Sequence, residues 1–158
     1  MIDNSKIIVL NTRVDSIAGQ KLEKALLQFV TVLNELRNRV LPANLIDPIN
    51  NGISEINSST LSGAGLLKQI KRHQSAVLKL VEKEMKLVPK HHYRTLWMIL
   101  GMSAFGIPIG VLIGSLNDNM GLLKIGLPIG MAIGLGVGAM LDKKAMKEDR
   151  QLDVEIKY

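Results

Sequence analysis

Histidine is the first place to look for chemistry in this chain, because cysteine is absent. Without thiols there is no disulfide, thiolate metal site or cysteine nucleophile. His91 and His92 are adjacent, so on a helix their rings point about 100° apart and do not chelate one ion. Contact with lipid headgroups is the role expected of them. His73 lies between Arg72 and Gln74, a solvated position by sequence. No GxxxxGK[ST], GxSxG or HExxH motif occurs, and Gly63-Ala64-Gly65 is too short to cradle a phosphate. The chain is therefore expected to be no enzyme, with no catalytic residue, cofactor or metal ligand.

The residues whose spacing does carry physical meaning are glycines. Gly106, Gly110 and Gly114 recur every four residues, as do Gly126, Gly130, Gly134 and Gly138. Four-residue spacing puts each set on one face of a helix, where bare backbone allows close approach. The two stretches also repeat each other at an offset of 20. Gly101–Gly114 (GMSAFGIPIGVLIG) matches Gly121–Gly134 (GLLKIGLPIGMAIG) at seven of fourteen positions. A tight turn centred on Asp118 would set Gly106 opposite Gly130 and Gly110 opposite Gly126. Gly136 lies off the row and leaves a second small face. Pro108 and Pro128 lack amide donors and free the carbonyls of Ala104 and Lys124. A kink is expected at Pro108.

The elements that hold these glycines are apolar. Between Thr95 and Leu141 the only charged residues are Asp118 and Lys124. Thr95–Leu116 is 22 residues without a charge, about 33 Å as a helix, enough for a bilayer core of about 30 Å. Asn117–Met120 is a polar turn, and Gly121–Leu141 is the second span, with Lys124 able to snorkel. Met1–Arg13 is too polar for a signal peptide. Lys83, Lys86, Lys90 and Arg94 precede the first span; Lys143, Lys144, Lys147 and Arg150 follow the second. The positive-inside rule puts both termini in the cytoplasm and the turn outside. Lys90, Tyr93, Arg94, Trp97, Lys143 and Lys144 are the expected membrane-interface residues. The net charge of +6 suits anionic headgroups. Aromatic residues make up only 3%, which argues against a base-stacking surface and a nucleic-acid partner.

This pattern resembles the bacterial glycine-zipper membrane proteins, whose spans carry GxxxGxxxG. The resemblance covers roughly residues 95–150. It implies helix packing at Gly106, Gly110, Gly114, Gly126, Gly130, Gly134 and Gly138, and a place in the bacterial inner membrane. Some members of that class form channels or pores. The N-terminal part resembles no family.

Outside the spans the pattern is that of amphipathic helices. Thr12-x-x-Asp15 reads as a capping box, followed by a heptad-like, coiled-coil row at Leu22, Leu26, Phe29, Leu33, Leu36 and Val40, ended by Pro42. Gly19 weakens its first turns. Asp47-Pro48 reads as the opening of a short helix with Ile49, Ile53 and Ile56 on one side. Asn57–Gly65 is a flexible joint. Leu66–Val88 is a second long helix with Leu67, Ile70, Gln74, Val77, Val81, Met85 and Val88 on one stripe, and Pro89 at its end. The tail Gln151–Tyr158 alternates apolar and charged residues, which is strand periodicity, and Ile7–Leu10 is a short apolar run that could pair with it.

The expected fold is thus an all-α membrane protein. Residues 1–94 form a cytoplasmic helical region, 95–141 a transmembrane hairpin, and 142–158 a basic juxtamembrane segment with a possible C-terminal strand. The expected function is a non-enzymatic, self-assembling membrane protein whose cytoplasmic helices gate, scaffold or recruit. A pore former and an accessory subunit of another membrane protein are the alternatives. The expected partners are the lipid bilayer and further copies of the chain.

Overall fold

A computed structural model describes residues 7–11, 19–117, 119, 121 and 123–156. Among these there are five helices and one two-stranded sheet. The Thr12–Asp15 capping box, Asp118 in the turn and Tyr158 in the tail lie outside the described residues. The chain divides into two compact units, Met1–Pro89 with Leu152–Tyr158, and Lys90–Gln151.

The first unit is a three-helix bundle. Helix α1 is Gln20–Arg37, α2 is Ala43–Asn57 and α3 is Gly63–Met85. The heptad-like row on α1 is buried at Leu22, Leu26, Phe29, Leu33 and Leu36, against side chains of this same unit. The row ends early. Asn38 is the C-cap of α1, its amide making the last helical bond to the Asn34 carbonyl at 3.2 Å, and Val40 beyond it is 71% exposed.

Helix α2 starts four residues before the expected Asp47. Leu45 and Ile46 precede Ile49, Ile53 and Ile56 at helical spacing, and all five are buried. Burying that longer stripe outweighs the proline inside the helix. Pro48 and Asn44, whose carbonyl Pro48 leaves without an amide donor, are both exposed, where water can take over. On α3, Ile70, Gln74, Val77 and Val81 are buried as the stripe requires, but the helix stops at Met85 and Val88 enters a strand.

Asn50 and Asn57, seven residues apart on α2, hold the N-terminal segment against it. Asn50 Oδ1 accepts from the Ile8 amide at 3.0 Å and Asn57 Oδ1 from the Asn11 amide at 2.8 Å, while Asn57 Nδ2 donates to the Val9 carbonyl at 3.0 Å. Ile7 and Leu10 enter the core while Ile8 and Val9 stay out. This segment is not the sheet partner of the tail. Strand β1 is Val88–Lys90 and pairs with β2, Gln151–Glu155. The alternation of β2 holds, with Leu152 and Val154 buried and Asp153 and Glu155 exposed. Helix α1 clasps β2: Gln28 Nε2 donates to the Glu155 carbonyl at 3.3 Å, and Glu35 Oε2 accepts from the Asp153 amide at 3.1 Å.

His73 is not a solvated side chain. Its ring packs over Gly52, where an added Cβ would stand 2.9 Å from Nδ1, and its Nε2 lies 3.0 Å from Glu55 Oε2. At the end of α3, Lys86 adopts φ 57°, a left-handed conformation that a side chain disfavours by about 1–2 kcal/mol. Lys86→Gly is expected to stabilise the protein by about 1 kcal/mol, seen as a higher midpoint for loss of helical circular dichroism in detergent.

The second unit is a hairpin of two helices, α4 (His92–Leu116) and α5 (Leu123–Lys147). Both are long and apolar enough to cross a membrane. The distortion expected at Pro108 takes the form of a π-helical turn at Met102–Gly106 within α4. Pro108 cannot donate to the turn before it, and the hydroxyl of Ser103 bonds the Ile99 and Leu100 carbonyls at 3.2 and 3.1 Å.

Candidate functional site: a glycine interface closed by Asp142

The buried residues of α4 are Gly101, Gly106, Gly110 and Gly114, and no other residue of that helix is buried. Those described on α5 are Gly126, Gly130, Gly134, Gly138, Asp142 and Ala145. The two helices therefore meet backbone against backbone. A methyl built on Gly126 would stand 2.5 Å from the Cα of Gly110, and one on Gly130 would stand 2.6 Å from the Cα of Gly106. One on Gly138 would stand 2.5 Å from the Cα of Arg94. On Gly134 it would run into the Trp97 carbonyl. At this spacing dispersion and weak Cα–H···O contacts act along the whole row. Gly136 faces open space.

Gly101 joins the row although it is five residues before Gly106, not four. In a regular α-helix a five-residue step would rotate it about 140° off the row. The π turn absorbs the extra residue, and a Cβ on Gly101 would stand 2.8 Å from the Cα of Gly134.

Asp142 is the next member of the same four-residue row on α5, and it is 7% exposed. Its two carboxylate oxygens accept the amides of Tyr93 and Arg94, each at 3.0 Å. These are donors of the first turn of α4, which no residue within that helix can satisfy. The residue before the helix, His91, has φ 59° and supplies no side-chain cap. The carboxylate thus serves as a cap delivered from the other helix, placed where the helix dipole favours negative charge.

The same end of α5 closes in a Schellman motif. The Arg150 amide bonds the Ala145 carbonyl at 2.9 Å and the Asp149 amide bonds the Met146 carbonyl at 3.2 Å, with Asp149 at φ 51°. Arg150 Nε donates to Glu148 Oε2 at 2.8 Å, and the Tyr93 hydroxyl also holds the guanidinium. The hydrogen bond from Arg150, aided by the charges of Arg150 and Lys144, holds the Glu148 carboxyl below the usual carboxylate range. Its contribution is present above the ordinary glutamate value and fades as pH falls through the lowered one. Arg150→Gln is expected to return the Glu148 midpoint to the ordinary range, read by side-chain carboxyl NMR.

Of the expected interface residues, Tyr93, Arg94 and Trp97 contribute backbone to the packed row. Lys143 and Lys144 point outward at its end, and Lys90 is exposed on β1. No group of three or more His, Cys, Asp or Glu able to hold a metal occurs among the described residues. Comparison of the chain with protein-family models, curated proteins and solved structures gives no match.

Proposed function

We propose that the chain is a non-enzymatic protein of the bacterial inner membrane, anchored by a two-span hairpin with both termini in the cytoplasm. The observation that carries this reading is what the hairpin buries. Its packed row is glycine with Asp142 and Ala145, so the large apolar side chains face outward. Ile99, Phe105, Leu112, Ile125, Ile133 and Met140 are all more than 40% exposed. A soluble monomer rarely leaves so continuous an apolar surface in water, and lipid is the solvent that suits it. Because the glycine row is used within the hairpin, assembly of further copies would use these outward faces. The helical bundle is then a cytoplasmic scaffold or gating element.

Two measurements test this. The protein should stay with vesicles through alkaline carbonate extraction, and its mass in mild detergent should be a multiple of 17.4 kDa. Release by alkali contradicts the anchor, and a protein mass of one chain contradicts self-assembly. Ion flux in liposomes would assign the assembly to a pore.

A further inference from the structure

The helical bundle carries a cleft of about 690 Å³ between α1, α3 and β2. The cleft is about half open to solvent, and its volume is of the size that small-ligand sites offer. Its walls are apolar where Leu27, Leu67 and Val154 line it, and Leu27 is 58% exposed, unusual for a leucine on a helix whose other leucines are buried or nearly so. Lys21 and Lys24, one turn apart on α1, and Lys71 on α3 also line the cleft. One carboxylate, Glu155, opposes them, so the lining carries an excess of two positive charges. Gln28 fixes the β2 wall through its bond to the Glu155 carbonyl.

An apolar trough lined by lysines has the chemistry of a site for a molecule with one anionic end and one hydrocarbon chain. A lysine can lay its methylenes along an apolar wall while its ammonium group reaches a head group. An anion here gains charge-assisted hydrogen bonds, and the chain covers Leu27 and Leu67. We propose that this cleft binds a single-chain anionic amphiphile of the long-chain fatty acid class. The site belongs to the bundle alone and does not depend on whether the hairpin crosses a membrane.

The test is photo-crosslinking of the full chain in zwitterionic nanodiscs with a diazirine-bearing palmitate, the adducts being mapped by mass spectrometry. The corresponding long-chain alcohol, which lacks the charge, serves as comparison. Adducts are expected on Leu27, Leu67 or Val154, at least about tenfold stronger for the acid than for the alcohol. The exposed triple variant Lys21→Glu, Lys24→Glu, Lys71→Glu should lose them, with helical circular dichroism retained. Should that variant not fold, Leu67→Trp, which fills the trough, should give the same loss.

Adducts confined to α4 and α5 would mean that the probe only dissolved in the bilayer, and would overturn the proposal. Equal labelling by acid and alcohol would overturn it as well. Amide protection over residues 21–31 that rises with protein concentration, without probe, would assign the cleft to a second copy instead. If alkali extraction fails, the same crosslinking in buffer still decides the cleft.

Discussion

Gly130→Leu is expected to open the hairpin. Any side chain at this position meets the Gly101 carbonyl and the backbone amide and Cα of Gly106, none of which can rotate away as a side chain can. Inserting bulk into a packed site normally costs about 1–3 kcal/mol. Here the two backbones must separate, so contacts along neighbouring glycines go with it, and a loss of at least about 3 kcal/mol is expected. Gly136→Leu adds the same bulk where nothing lies within 4 Å, and should change stability by no more than about 0.5 kcal/mol. Unfolding of both variants in mixed micelles checks this. Equal behaviour of the two would mean that the row does not hold the hairpin.

Asp142→Ala is expected to remove about 2 kcal/mol. The substitution leaves the amides of Tyr93 and Arg94 without their acceptor at a part-buried site, and it removes a negative charge from the start of α4. Asp142→Asn should cost nearly as much. An amide side chain keeps one acceptor oxygen, but its NH₂ faces a second N–H donor. Hydrogen exchange at Tyr93 and Arg94 reports the effect directly: both amides should lose protection in either variant, while those in the middle of α4 keep theirs. Unchanged protection would show that the carboxylate does not cap this helix.

The hairpin row was largely legible because glycine marks places where backbones can meet. The pairing of Gly106 with Gly130 and of Gly110 with Gly126 follows from spacing and one turn position, and the geometry places those residues together. Gly101 was not legible as part of the row, since a five-residue step breaks an α-helical pattern unless a π turn intervenes. Asp142 read as the start of a basic flank, although its place four residues after Gly138 was a usable signal.

In the bundle, apolar periodicity identified the core faces of α1 and α3 but not where they end. Val40 continues the spacing of α1 after the helix has already reached its C-cap at Asn38. Asp47-Pro48 looked like a helix start, yet Leu45 and Ile46 already carried the stripe of α2. The strand character of the tail was plain from its alternation. Its partner was not, because Val88–Lys90 is three residues long with a proline at its centre, and sheet pairing is non-local. His73 was misread from its polar neighbours in sequence, when Gly52 on another helix decides its surroundings.

The most direct test of the hairpin is spin-label accessibility in a reconstituted bilayer, for which the absence of cysteine makes single-cysteine variants simple. Labels would replace Leu112 on α4 and Ile133 on α5, both exposed on the hairpin. High collision rates with oxygen and low rates with a water-soluble nickel chelate are expected at both. Ready access of the nickel chelate at either site would contradict a glycine-packed hairpin whose apolar side chains face away from water.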